Sequence, residues 1–363
     1  MRILYVGPVF SGSHMTSWRD AFVELGHEVV TVDSDRHIDP RPSLYRKLVT
    51  RIVLHPGRKA MDRFNLDVLE AARSFRPQMT FFAPGRYMRP ESISECREYG
   101  LTILHNNDDM FNRINQPPYF EEISRSVDCI FTTKSFNVAE FYAIGAARVE
   151  FLPDAYDPAV HFLQEPDAED MKKLGCDVGF VGSFRPERAD YLEKTIMCLE
   201  GAGVRVWGGN WEKMGRIHYR LPRFRWPLLA PVTGGPLVGA NFRKVMQASR
   251  INLGLLNHRN RDLHTGRTFE IPACRGFMLA ERTSEHQSMF EEDREAVFFE
   301  TFEEMTDKIR YYLKHDAERS RIAEQGYRRC TESGYRFIDR AVSVLNVVAE
   351  MAGEGALPAG RRH

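Results

Sequence analysis

The chain has 363 residues, 43% of them hydrophobic and 28% charged, and its 50 Lys and Arg balance 50 Asp and Glu to a formal net charge of +0. That length is more than one core comfortably serves and predicts two domains. The balanced charge excludes a surface that is basic all over and grips nucleic acid as a whole, leaving only local basic patches; no apolar run is long enough to span a bilayer.

The opening MRILYVGPVF reads as a buried strand rather than a signal peptide, with no long apolar stretch and no small-residue cleavage site. A glycine-containing loop, PVFSGSHMT, follows. SWRDAFVELG then predicts a helix with Trp18, Phe22 and Leu25 on one face, stopped by Gly26, and HEVVTVD the next strand. This βαβ start favours a parallel sheet. The alternation continues through LDVLEAARSFRP (helix), QMTFFAP (strand), PESISECREYG (helix), LTILHNN (strand), FEEISRSV (helix), DCIFTT (strand), SFNVAEFYAIGA (helix) and RVEFLPD. A doubly wound domain is therefore complete near Asp154. The polar, acidic, proline-containing YDPAVHFLQEPDAEDMKKLGC reads as a linker.

A second doubly wound unit opens with the strand DVGFVGSF, the helix ERADYLEKTIMCLEGAG and the strand VRVWGG. GANFRKVMQAS (helix), RINLGLL (strand), TFEIPACRG (helix start), FMLAE and AVFFE (strands) follow, then two amphipathic helices, a terminal helix in YRFIDRAVSVLNVVAEMA and a tail, GEGALPAGRRH, expected to be disordered. The expected division is residues 1–160, 161–340 and a terminal helix and tail over 341–363. Cys96, Cys129, Cys176, Cys198, Cys274 and Cys330 form no CxxC pair, which argues against a zinc or redox motif and fits free thiols in a cytoplasmic enzyme.

Open α/β sheets bind ligands at the carboxyl ends of their strands. In the second unit the loops expected there carry Arg185, Arg188, His258, Arg259, Arg261 and Arg267. Guanidinium forks match phosphate oxygens, so a phosphorylated ligand is expected. A helix starting near Thr268 would add N–H donors and a positive dipole end. Glu270 in its first turn is placed to accept two ribose hydroxyls, although the dipole alone also favours a Glu there. Arg185 and Arg188 have a plainer alternative, pairing with Glu187 and Asp190 on a solvated surface. In the first unit Asp108 and Asp109 of HNNDDM, and His14, are candidate general bases; capping of the following segment is as good a reading of the two acids. Asp33 and Asp35 imitate a metal-binding DxD, a pattern common by chance.

Two such units in tandem, with FVGSFRPER, TFEIPACRGFMLAE and the tail FEEMTDKIRYYLKHDAERSRIAEQGYRR, resemble the GT-B glycosyltransferases, and within them the branch similar to the spore-maturation protein CgeB. The resemblance covers most of the chain and is most specific from Arg250 to Arg329. It implies two Rossmann-like doubly wound domains facing across a cleft, the first on the acceptor side and the second binding the donor. Asp262 and Glu270 have the spacing of the family's E-x7-E pair, with Asp in place of the first Glu, which puts Asp262 beside His14, Asp108 and Asp109 among the catalytic candidates. By this resemblance Glu270 binds the nucleotide ribose, Arg188 and Arg267 the diphosphate, and Gly182, Arg185 and Thr268 belong to the same donor site. It implies a nucleotide-diphosphate sugar as donor, a glycan, lipid-linked glycan or protein hydroxyl as acceptor, no nucleic-acid partner, no metal requirement, and a retaining outcome without a protein nucleophile.

Residues 42–63, PSLYRKLVTRIVLHPGRKAMDR, combine an apolar helical face with Arg46, Lys47, Arg51, Arg58 and Lys59, so they are read either as a packed helix or as a peripheral contact with the inner face of an anionic membrane. Two other functions stay in view: a GT-B-fold sugar-nucleotide epimerase and a non-catalytic GT-B scaffold.

Overall fold

The computed structural model describes residues 1–10, 14–37, 58–215, 225–237 and 239–354. They divide into two compact units. The first holds Met1–Asp154, Arg259–Arg261 and the segment from Phe337; the second holds Ala155–His258 and Asp262–Arg336.

The first unit runs β1 (Arg2–Gly7), α1 (His14–Glu24), β2 (Glu28–Asp33), α2 (Arg58–Phe75), β3 (Met79–Phe82), α3 (Pro90–Arg97), β4 (Leu101–Asn106), α4 (Phe120–Ser126), β5 (Cys129–Thr132), α5 (Ser135–Ala143) and β6 (Val149–Phe151). Its six strands form one sheet in the order β2-β1-β3-β4-β5-β6, every pair parallel. β3 and β5 are buried at every position, as strands covered by helices on both faces must be. α2 starts eight residues ahead of the predicted Leu66, because Met61 and Phe64 extend the buried stripe of Val68 and Ala72 by two turns. Gly7 ends β1 where a side chain has no room: a Cβ there would lie 2.2 Å from the carbonyl oxygen of Ala83.

The second unit runs α6 (Ala168–Leu174), β7 (Cys176–Val181), α7 (Pro186–Cys198), β8 (Val204–Trp207), α8 (Ala240–Ala248), β9 (Ser249–Gly254), α9 (Arg267–Ala273), β10 (Met278–Glu281), α10 (Ser284–Met289), β11 (Val297–Phe299), α11 (Phe302–Tyr312) and α12 (Asp316–Glu332). Its five strands lie in the order β11-β10-β9-β7-β8, again all parallel. α13 (Phe337–Glu354) closes the described chain and belongs with the first unit, where Phe337 packs 5.6 Å from the ring of Trp18 in α1. It is therefore not a separate terminal element, as its apolar stripe of Phe337, Ala341, Val344 and Val348 requires a partner.

The stretch expected to be a linker is part of the second unit. Asp167 and Asp170 form a reciprocal capping box on α6, and Lys244 of α8 pairs with Asp170 at 2.7 Å. Its acidic, proline-bearing composition was the signature of a helix cap rather than of a tether. Residues 42–57 of the candidate membrane stretch and the tail from 355 lie outside the described residues; Arg58 onwards forms the first turns of α2. Among the described residues no helix is long and apolar enough to cross a membrane.

Candidate functional site

The carboxyl edge of the second unit's sheet gathers most of the expected donor-site residues. Arg188 lies in the first turn of α7, and its guanidinium donates to three main-chain carbonyls: Leu255 at 2.9 Å, Leu256 at 3.3 Å and Ser183 at 3.3 Å. It also lies 5.6 Å from the centre of the Phe180 ring. Burial pushes its pKa down from the ordinary value, with Asp262 and Glu281 pulling it back at longer range. No carboxylate among the described residues pairs with it. Arg185 precedes the same helix and is exposed. Gly182 has no spare main-chain group: its N–H donates to Trp207 and its carbonyl accepts from the Trp211 indole at 2.8 Å. A Cβ there would stand 2.6 Å from the Phe180 ring, so this glycine is required by packing.

α9 begins at Arg267, one residue before the expected start. Its first-turn amides are used internally: Thr268 N–H donates to Thr265 O, and Phe269 and Glu270 N–H to Gly266 O. The expected set of free helix-end donors is thus reduced by the tight turn at Gly266. The Thr268 side chain is engaged as well. His286 Nδ1 lies 2.6 Å from the Glu281 carbonyl, which can only accept, so the ring's proton sits on Nδ1. His286 Nε2 then accepts from the Thr268 hydroxyl at 2.9 Å, and the same hydroxyl oxygen accepts from Thr265 N–H. Burial pushes the His286 pKa down to about 4, which keeps the ring neutral as this chain of bonds demands.

Glu270 is completely buried rather than turned outward. One carboxylate oxygen is paired with Arg267 Nη1, and the other lies 3.8 Å from His161 Nε2. Arg267 also donates from Nε to the Val181 carbonyl, 2.9 Å away at the end of β7, and lays its guanidinium 4.5 Å from the centre of the Phe242 ring. One third of its side chain is exposed, so the pair opens to solvent on the arginine side only. Asp262 is buried in the loop after β9 and accepts from Asn257 N–H at 3.3 Å. His264 is fully buried, 2.5 Å from Glu285 and edge-on to Phe269. His258 is exposed and paired with Glu281 at 2.5 Å, and that hydrogen bond raises its pKa.

Arg259 and Arg261, expected beside these arginines, belong to the first unit. Arg261 forks onto Asp109 at 2.7 and 2.8 Å and onto Glu140 at 2.9 and 3.0 Å, with Phe136 under its guanidinium. The Arg259 carbonyl accepts from Asn112. Asp109 also accepts from Asn137 and from the N–H of Phe111. Burial pushes its carboxyl up, but the bonds from Arg261, Asn137 and Phe111 outweigh it and hold it below the ordinary carboxylate range. So acidic and so fully bonded a group makes a poor proton acceptor. Asp108 is half-exposed and paired with Arg86 at 2.9 Å. His14 packs edge-on against Phe337. Asp33 accepts from the N–H groups of Val9 and Asp35, so the DxD stretch builds a turn.

Sequence reasoning missed His161, Phe242 and His286. The only signal for the first was a lone histidine in a supposed linker, and for the other two nothing in their spacing pointed at α9.

The chain matches the family model described as Glycosyl transferase-like over residues 188–346. No curated protein matches it. Among solved structures it is similar to Anabaena HepE in complex with UDP and glucose, at 10% identity and TM-score 0.67, covering 96% of this chain and 100% of that one. It is similar to the sucrose-phosphate synthase of Thermosynechococcus elongatus, at 10% identity and TM-score 0.68, covering 98% and 100%. An alpha-glucosyltransferase in complex with UDP matches at 14% identity and TM-score 0.65, covering 96% and 100%. The two parallel-sheet α/β units thus have the fold of GT-B glycosyltransferase structures, and the segment bearing Arg188, Arg267 and Glu270 is the one that matches a glycosyl transferase-like family.

Proposed function

We propose that the chain is a glycosyltransferase that moves a sugar from a nucleoside-diphosphate sugar to a hydroxyl acceptor. The observation that carries this reading is Arg188: a mostly buried cation held by three carbonyls and no carboxylate, in the segment that matches the family. A cation held on carbonyls, with no carboxylate in contact, is arranged to receive an anionic ligand. In this reading Arg188 and Arg267 face the diphosphate and Glu270 accepts the ribose hydroxyls. Arg267 is then shared between the Glu270 carboxylate and the phosphates.

Transfer breaks the bond between the sugar's anomeric carbon and the diphosphate oxygen and forms one to the acceptor oxygen. The two arginines stabilise the negative charge gathering on the leaving diphosphate, with no metal required. In the retaining outcome that the resemblance implies, the acceptor attacks from the face the diphosphate leaves, and its proton passes to the departing oxygen. An inverting outcome would need a base; Asp109 is too strongly held for that, which leaves Asp108 and His14. Within the class we place the chain in the CgeB-like branch, acting in the cytoplasm on a glycan, lipid-linked glycan or protein acceptor in polysaccharide synthesis or protein modification. Residues 42–63 would provide any peripheral membrane contact.

Thermal-shift measurements with UDP, GDP, dTDP, CDP and CMP, followed by assay of sugar release from the matching nucleotide sugar, test the reading. Stabilisation by one diphosphate and acceptor-dependent release are expected. Isomerisation of the nucleotide sugar without acceptor would make it an epimerase, and the absence of any nucleotide effect would make it a scaffold.

A further inference from the structure

We propose that His161 is a positioning residue for Glu270: it fixes the plane of the buried carboxylate without touching the nucleotide. The inference rests on the nucleotide-binding reading above. Glu270 has two carboxylate oxygens and no contact with solvent. Arg267 holds one of them; the other faces Nε2 of His161 at 3.8 Å.

The identity of the atom on that side follows from hydrogen bonding. Asp157 N–H donates to His161 Nδ1 at 3.1 Å. An N–H must meet a lone pair, so Nδ1 carries no proton and the ring's hydrogen is on Nε2, directed at Glu270. A second proton on Nδ1 would set two donors against each other. His161 therefore offers Glu270 a dipole rather than a full charge beside that of Arg267. Sealed from water, an N–H dipole acts on a carboxylate even beyond contact distance.

The ring cannot drift. His161 N–H donates to the Asp157 carbonyl at 2.6 Å, closing a turn. Arg243 of α8 bonds the Val160 carbonyl and the Gln164 side chain and covers the Phe162 ring at 4.0 Å. The preceding residue of α8, Phe242, meets the His161 ring edge-on at 5.2 Å and carries the Arg267 guanidinium on its face. One aromatic ring thus sets both groups that flank Glu270. A carboxylate fixed in this way presents its remaining lone pairs to a ribose in one direction only, which is what pre-organised binding requires.

The test is calorimetry of UDP, GDP, dTDP and CDP on the full chain and on three variants, with melting temperature as control. His161→Phe keeps the ring against Phe242 and loses the donor; His161→Gln keeps an N–H close to the Nε2 position; His161→Met keeps length without a donor and replaces the Phe variant if that one does not fold. The donorless variants are expected to bind about three- to tenfold more weakly, less than the loss of a full hydrogen bond to a charged group because 3.8 Å lies beyond hydrogen-bond distance, with near-wild-type melting. His161→Gln should recover most of the loss, and the donor KM should rise more than kcat falls. Equal binding by wild type and the donorless variants would overturn the role of His161 and leave the functional reading standing. A loss that Gln does not recover would mark a packing role and overturn it too. A wild type that binds none of the four nucleotides would overturn both.

Discussion

Replacing Arg188 by methionine separates its two possible uses by the sign of the effect. Met keeps most of the side chain's length and apolar stem. The fold loses three hydrogen bonds to neutral carbonyls, at 2.9, 3.3 and 3.3 Å, each contributing about 0.5–1.5 kcal/mol net. Against this stands the relief of removing a guanidinium that is partly desolvated in the fold, as the lowering of its pKa by burial indicates. The two nearly cancel, so Arg188→Met should leave stability within about 1 kcal/mol of wild type or raise it slightly. Nucleotide binding should fall instead by roughly 1.5–3 kcal/mol, about 10- to 150-fold, because a charge-assisted contact to phosphate disappears. Urea unfolding gives the first number and titration calorimetry the second. A variant that is clearly destabilised and yet binds nucleotide as wild type does would show that Arg188 is a structural tie, and the reasoning from its lack of a contacting carboxylate would be refuted.

Glu270→Gln keeps the buried volume and removes the charge, so the chain should fold while nucleotide affinity drops by roughly 1.5–3 kcal/mol; calorimetry checks it, and unchanged affinity removes Glu270 from the site. His105 in the first unit and His286 in the second are both buried and pushed from 6.5 down to about 4. The neutral rings are the folded forms, so the stability they allow is complete above pH 6.5 and drains away as pH falls towards 4, by about 3 kcal/mol for each ring. Urea midpoints between pH 7 and pH 4 measure this, and His286→Asn should flatten its share. Gly276→Ala would set a Cβ 2.8 Å from the Asn252 amide and 2.9 Å from the Met246 carbonyl, two groups bonded to each other; a loss of about 1–3 kcal/mol in thermal unfolding is expected. Sugar transfer should persist in excess EDTA, and abolition with rescue by manganese would direct attention to Asp33 and Asp35.

The strands were the most legible part of the sequence. MTFF and CIFT, buried throughout, announce a sheet covered on both faces, and the alternation with amphipathic stretches fixes it as parallel. The position of Arg188 and Arg267 at strand ends was legible for the same reason. What could not be read was which side chains satisfy one another. Arg261 looks like any other arginine of its loop, yet Asp109 and Glu140, more than a hundred residues earlier, claim it. His264 and Thr268 look like rim residues until Glu285 and His286 are brought beneath them by α10, a six-residue helix too short to show a period. The end of α9 was not legible either: Arg275 takes the left-handed turn at φ 58°, and Gly276 is needed because a Cβ there would stand 2.8 Å from the Asn252 amide. His161 was hidden by a composition that resembles a tether.

The central claim is that the Arg188, Arg267 and Glu270 group binds a nucleoside diphosphate, and a crystal structure of the chain with the best-binding diphosphate tests it most directly. The account predicts phosphate oxygens within hydrogen-bond distance of the Arg188 and Arg267 guanidiniums and the ribose hydroxyls on Glu270, with His161 directed at the carboxylate's other oxygen. A nucleotide bound away from the carboxyl edge of β7 and β9, with the Arg267–Glu270 pair undisturbed and Arg188 still on its three carbonyls, would contradict it.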